Sequence, residues 1–376
     1  MNRRRFLTTC TALLPWALGT PFALATPVAA SSARRPRTLI LIELKGGNDG
    51  LNTVIPYDDP HYYRLRPTLA IAKDQVLPLT DKLGLHPALA PLLPLWQQHH
   101  MAIFQGVGYD RPNLSHFRSI EIWNTASRSN EVLEEGWLTR LFQHQRPVTD
   151  AVADGIIIGA DPGPLSGHAR TITLHKPRQF FRQAQRMPLL QADSDNPALA
   201  HILAVYQETR RSALALAKQL KHRKPTTTGF PETAFGRQLA LAAELILSNI
   251  PVAVIKTAHG SFDTHRNQAG QHRRLLSELA EGIAAFSQNL RRHQRWHHVL
   301  IMTYSEFGRR PKENGSRGTD HGTAAPHFFF GGGIDAGLHG PHPSLTDLDN
   351  GNLRYHTDFR SLYRHASRIC WDLTPV

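Results

Sequence analysis

Leu39–Asn52, LILIELKGGNDGLN, runs an apolar segment straight into glycines, with the carboxylate of Asp49 standing between them. A continuous apolar run of this length describes a strand covered on both faces, the kind found in parallel sheets packed between helices. In open α/β sheets ligands gather where such strands end and loops begin. Asp49 therefore has two readings. It is the acceptor of an Asx turn, or it is the first polar residue of a site at the sheet edge.

The rest of the chain alternates in the same way. Apolar runs predict strands over 38–45, 101–107, 154–160, 251–257, 298–304 and 327–331. Helical periodicity fits 86–99, 116–127, 198–221, 232–248 and 266–293. This alternation predicts an α/β fold with a mostly parallel central sheet and helices on both faces. The two long helices around KHRKPTTTGFPE (221–232) predict a helical hairpin, 198–248, inserted in the sheet order. No internal repeat is visible.

With 376 residues, 41% of them hydrophobic and 19% charged, the chain has the composition of an ordinary globular protein. Its start is different. Arg3-Arg4-Arg5-Phe6-Leu7 precedes a moderately apolar run and the small-residue pattern Ala23-Leu-Ala25, so residues 1–30 read as a signal peptide. The paired arginines resemble the twin-arginine export signal, which implies the twin-arginine translocase as a partner and a periplasmic or extracellular mature chain. Losing Arg3, Arg4 and Arg5 takes the formal charge from +13 to +10, and losing Cys10 leaves Cys370 without a disulfide partner. No later segment reaches the roughly 20 apolar residues of a membrane span. The basic stretches RQFFRQAQR (178–186) and KHRK (221–224) carry no aromatic-basic recognition module, which argues against nucleic acid and leaves a solvated surface or an anionic envelope partner.

Four strand exits carry polar groups. Asn48-Asp49 follows the first strand; GYDRPNLSHFRSIEIWNTA (108–126), AHGSFDTHRNQAGQH (258–272) and SEFGRRPKENGSRGTDHGTAAPH (305–327) follow three others. Each has a plain structural reading. Ser115 suits a helix N-cap, Glu306 suits pairing with Arg309 or Arg310, and Asp320 suits pairing with Arg317. Their recurrence at successive exits points instead to metal-assisted chemistry. Aspartate, glutamate and neutral imidazole suit zinc, manganese or calcium, as one ion or two. Ser115 at a helix start adds a hydroxyl in a positive field favourable to a transferred phosphate or sulfate. A Walker loop, a Gly-x-Gly-x-x-Gly after a strand and a Gly-x-Ser-x-Gly elbow are all missing; GPLSG (163–167) differs by one position.

Taken together, LKGGNDGLNTVIPY, PNLSHFRSIEIW, GSFDTHRNQ, YSEFGR, GTDHGTAAPHFFFGGG and HTDFRSLYRH resemble the bacterial family DUF1501, related to the alkaline phosphatase and sulfatase superfamily. The resemblance spans the chain from 31 to 376 as a single alkaline-phosphatase-like domain. It implies metal ligands at Asp49, Asp263, His265, Glu306 and His321, with His272 a rival for His265. It implies Ser115 as nucleophile, with His116 beside it; Asn48, next to Asp49, and Arg309 are candidates for contact with the bound anion. One departure stands out: Glu306 is followed by Phe307 where phosphatases of the superfamily place a histidine ligand. The second metal then loses a ligand unless His116 or Asp320 replaces it. Three functions follow: an exported metal-dependent hydrolase of phosphate or sulfate esters, a noncatalytic envelope binding or assembly protein, or a transferase moving a phospho-group between envelope molecules.

Overall fold

A computed structural model describes residues 36–174, 177–186, 188, 190, 196–221 and 227–374. The signal-peptide expectation, 1–30, lies outside the described residues, and residues 36–376 make one compact unit. No described helix is long and apolar enough to cross a membrane.

The opening stretch is the centre of the sheet. β1 (Thr38–Lys45) lies between β5 (Val252–Gly260) and β6 (Val299–Tyr304) and is parallel to both. Its side chains alternate: Ile40, Ile42 and Leu44 enter one core and Leu39 and Leu41 the other, all at most 1% exposed. Full burial of each stabilises the fold by about 1.5–3 kcal/mol relative to exposure. The first core is covered by α2 (Leu93–Gln97), α7 (Ala234–Leu247) and α8 (Gln268–Arg292). The second is covered by α3 (His116–Thr125), α4 (Trp137–His144) and α9 (Phe359–Trp371).

The remaining strands of this nine-stranded sheet are β2 (Met101–Gly108), β3 (Ala153–Ile158), β4 (Thr171–Leu174), β9 (Ala325–Gly331), β10 (Gly337–His339) and β11 (Thr357–Asp358). Their order is β10-β2-β9-β6-β1-β5-β3-β4, with β11 also on β2. All pairings are parallel except those of β9, antiparallel to both β2 and β6. The exception follows from the connection: β6 returns through a hairpin of β7 (Arg309–Glu313) and β8 (Thr319–His321) with no crossover helix.

Two expectations are corrected. The helix over 86–99 breaks into a 3-10 segment, Pro87–Leu92, and the short α2, because Pro91 and Pro94 supply no N–H to a helical ladder. The 198–248 hairpin gives way to two other pairings. α6 (Pro197–Lys221) lies along α5 (Pro177–Arg186), while α7 packs on α8 and β5. α1 (Pro60–Leu65) stands beside β7.

Candidate metal centre

The loop leaving β1 turns through Gly46 and Gly47, with φ of +106° and +75°. A Cβ on Gly46 would strike the Phe262–Asp263 backbone, and one on Gly47 the Phe307 ring. The glycines therefore seat this loop against neighbouring protein rather than against an ion or substrate. Beyond the turn Asp49 is fully buried, with Arg66 Nη1 and Nη2 at 2.6 and 2.9 Å from its two oxygens and Gln268 Nε2 donating as well. Burial works to raise its carboxyl, but the Arg66 guanidinium, together with His272 and Gln268, offsets this and holds it below the usual carboxylate range. Asp49 as a metal ligand is thus corrected: both its oxygens, fully buried, accept from Arg66 and Gln268, and it is not in the group that His116, Asp263 and His321 form. Asn48 as an anion-binding residue is corrected too, since its amide is buried between Thr53 and His272 Nε2. His272, fully buried in that contact, is no rival ligand.

Four other expected residues do come together. Asp263 follows β5, and around its carboxylate stand three imidazoles: His116 opening α3, His265 two residues on, and His321 ending β8. His265 Nε2 and His321 Nε2 are 3.0 Å apart, and they lie 3.0 and 3.3 Å from Asp263 Oδ1. His116 Nε2 is 3.4 Å from Asp263 Oδ2. The ligand atoms of His116, Asp263 and His321 fall within 4.8 Å of one another, the one such group among the described residues.

What lies behind each ring matters as much. His116 Nδ1 is 2.8 Å from Glu306 Oε1, His321 Nδ1 is 2.8 Å from the Leu114 carbonyl, and His265 Nδ1 is 3.5 Å from Asp320 Oδ1. A ring that donates from Nδ1 presents a lone pair at Nε2, and all three Nε2 atoms face Asp263. Arg309 Nη2, 2.7 Å from Asp263 Oδ1, already places one positive charge beside this carboxylate. Ligands about 2.0–2.1 Å from a tetrahedral ion are roughly 3.3 Å apart, which the 3.0–3.4 Å spacings around Asp263 approach, with His265 set against Asp263 and His321 but outside the closest group of His116, Asp263 and His321. The side chains therefore fit a single divalent ion.

Glu306 and Asp320 as direct ligands are corrected to residues that orient His116 and His265. Glu306 also accepts from the Gly46 backbone N–H at 2.8 Å, tying the histidine to the loop after β1. Its hydrogen bond raises the His116 imidazole against the opposing effect of burial. Removing such a carboxylate typically weakens metal binding 10–100-fold. Glu306→Gln is accordingly expected to lower ion affinity about 10–100-fold in a chelator-competition titration; unchanged affinity would contradict the orienting role.

Phe307, buried, packs its ring 4.9 Å from that of His116 and 4.5 Å from that of His321. It supplies an apolar shelf for two imidazoles where the family resemblance implies another ligand. Arg309 as an anion-binding residue is corrected as well. Its buried guanidinium donates to the carbonyls of Gly46, Gly47, Phe262 and Thr319 and to Asp263 Oδ1 at 2.7 Å. It fastens three loops and fixes one face of Asp263, whose carboxyl it depresses against the raising effect of burial.

Ser115 occupies the N-cap of α3 with extended backbone, yet its side chain makes no capping hydrogen bond and is exposed. Its neighbours on both sides, Leu114 and His116, touch the cluster. An open cleft of about 800 Å³ reaches the centre, lined among others by Lys45, Gly46, His116, Ser261, Asp263 and Glu306. Lys45, its side chain 45% exposed, is held at 2.8 Å by Asp161.

No curated protein matches this chain. Among solved structures it is distantly similar to Ps i-CgsB in complex with k-i-k-neocarrahexaose, at 9% identity over 90% of this chain and 73% of that one, TM-score 0.42. It is also similar to a protein in the alkaline phosphatase superfamily from Vibrio parahaemolyticus, at 9% identity, 83% and 64% coverage and TM-score 0.36. PsFucS1 sulfatase from Pseudoalteromonas sp. shows 11% identity, 83% and 66% coverage and TM-score 0.36. Residues 36–360 match the family described as "Protein of unknown function (DUF1501)", and the chain belongs to that family.

Proposed function

We propose that this protein is an exported, one-metal hydrolase of phosphate or sulfate esters, working in the periplasm or outside the cell after twin-arginine export. The observation that carries the reading is the set of three Nε2 atoms facing Asp263, each ring fixed from behind by an oxygen. Three nitrogens and one carboxylate suit zinc or manganese; calcium, which takes six to eight oxygens, does not fit. A second ion has no place at Asp49, where Arg66 supplies the positive charge.

A divalent ion at such a centre supplies Lewis acidity and a deprotonated nucleophile. The chain's own groups do the rest. Ser115 Oγ, free of a capping bond, is the attacking hydroxyl, and the α3 N-terminus favours the anion it would carry. The Lys45 ammonium in the cleft wall is placed to meet the ester's anionic oxygens. His116 is held between Glu306 and Asp263, so its position is set from two sides.

A noncatalytic binding protein with one structural ion is the competing reading, favoured by the replacement of a second ion by Arg66. The two part on one experiment. Elemental analysis should find one ion per chain, and turnover of 4-nitrophenyl phosphate, bis(4-nitrophenyl) phosphate or 4-nitrophenyl sulfate should fall at least about 10³-fold in Ser115→Ala with the ion retained. Full activity in that variant removes Ser115 as nucleophile. A bound ion with no turnover of any ester favours the binding protein.

A further inference from the structure

Away from the metal centre, a cavity of about 70 Å³ lies between the C-terminal end of α3, α4 and α9, lined among others by Ala126, Trp137, Arg140, Arg360, Tyr363 and Arg364. Three guanidinium groups share this small space, and no acid is among its described lining. Arg360 and Arg364 stand one turn apart on α9, a spacing at which like charges repel. Capping accounts for two of the three. Arg140 donates to the carbonyls of Glu135 and Thr125 at 2.7 and 2.6 Å, and Arg360 donates to those of Ala126 and Ser127, so both close the C-terminus of α3. Arg360 is also neutralised by Asp358, 2.8 Å from its Nη1. Arg140 is not, because its partners are uncharged carbonyls; Glu131 and Glu135 act on it while their carboxylates bind the Arg128 N–H and the Gln143 and His168 side chains. Its Nε–H and one hydrogen on each terminal nitrogen stay free among the described residues. Arg364, exposed, makes no hydrogen bond or ion pair with any described residue. Two positive charges thus lack a counter-charge beside a wall formed by Trp137 and Tyr363, whose rings stack at 4.4 Å. The buried Trp137 indole N–H also lacks an acceptor among the described residues.

We propose that this cavity is a second anion site, holding one small oxyanion (phosphate, sulfate or the terminal phosphate of a monoester) between Arg140 and Arg364. Its size selects the class. About 70 Å³ exceeds the roughly 10–15 Å³ that admits a water and falls far below the roughly 300–1,000 Å³ of sites for larger organic ligands. The planar fork of a guanidinium matches a tetrahedral oxyanion bidentately, and the apolar rings beside it strengthen the attraction by keeping water out. The site is separate from the metal centre: His116 opens α3, and the ten residues to Thr125 put Ala126 about 15 Å away. It stands whether or not the chain hydrolyses esters.

Isothermal titration with inorganic phosphate tests this in the wild-type chain and in His321→Ala, whose metal centre is disabled. One phosphate per chain is expected to bind His321→Ala. Adding Arg364→Gln in either background should weaken that binding about 10–150-fold, the loss of a charge-assisted hydrogen bond, with an unchanged thermal melt because the side chain holds nothing else. Arg140→Gln should weaken it as well and also lower the melt, since α3 loses two capping bonds; Arg364→Gln is therefore the deciding variant. Glycerol 3-phosphate separates the sources: binding at least as tight as phosphate assigns the site to a monoester terminus, and weaker binding assigns it to the free anion. Absence of phosphate binding in His321→Ala, or binding in both backgrounds indifferent to Arg364→Gln, overturns the proposal.

Discussion

Replacing His321 by alanine is expected to lower the affinity for a divalent ion by about 10²–10³-fold and to leave the purified chain without its ion. Structural zinc sites with four ligands bind with about 10–16 kcal/mol, so one ligand in four accounts for roughly 2.5–4 kcal/mol. His321 is the ligand to remove because its Nε2 is within 3.3 Å of both His265 Nε2 and Asp263 Oδ1, while its Nδ1 holds the Leu114 carbonyl ahead of α3. The variant therefore loses one corner of the site and the tie between the β7–β8 hairpin and the loop ahead of α3. Competition with a chromophoric chelator measures the first effect. The second appears in thermal melts: the wild-type chain should gain about 2.7 kcal/mol at an ion concentration 100 times its dissociation constant, and the variant almost nothing at that concentration. Binding should also weaken as pH falls, because ligating imidazoles must be neutral. His116, raised by Glu306, protonates before an ordinary histidine would. A variant that still holds one ion at wild-type affinity would refute the centre as drawn.

Much of this could be read from the chain, and the reasons differ by element. The central strands are apolar runs that pack on both faces, so their signal is local; Thr38–Lys45 and Val299–Tyr304 lie within one residue of expectation. α4 and α9 are less legible in the sequence although each carries an amphipathic pattern, because Trp137–His144 is short and Phe359–Trp371 follows a loop-rich tail. At the site, strand exits gave Asp263, His265 and His321 their positions, since a parallel sheet delivers its loops to one edge. Which acid meets a cation and which backs a histidine was not legible. Glu306 and Asp49 look alike as exit carboxylates, and the difference is made by partners far along the chain: His116, 190 residues before Glu306, and Arg66, in YYRLRPTLA, whose spacing from Asp49 follows no period. Phe307 was the one local clue, an apolar residue where a ligand was sought, and the structure gives it a packing role.

Arg66→Met is expected to destabilise the fold by about 3–5 kcal/mol, because breaking a buried ion pair leaves its partner charge uncompensated. The guanidinium is fully buried and every side of its fork is occupied: Asp49 by two bonds, Asn52 Oδ1 at 2.7 Å, and the carbonyls of Pro311 and Arg310 at 2.8 and 3.0 Å. Methionine fills much of the volume and none of the hydrogen bonds, so Asp49 must either stay charged in an apolar site or take up a proton. Removing both charges in Asp49→Ala/Arg66→Met should recover part of the loss, as no unpaired ion remains. The pH dependence has a definite sign. Asp49 has a folded pKa below its unfolded value of about 3.9, so its contribution is complete above that value and disappears as pH falls through the lower folded one. Urea midpoints in the wild-type chain should therefore drop below about pH 4, with a smaller drop in the double variant. Arg310 and Pro311 begin the hairpin that carries His321, so the single variant should also bind its ion more weakly, while stoichiometry stays at one. A second ion taken up once Arg66 is gone would instead show that Asp49 belongs to a two-metal site the guanidinium was blocking, and an unchanged urea midpoint would deny the pair any structural role.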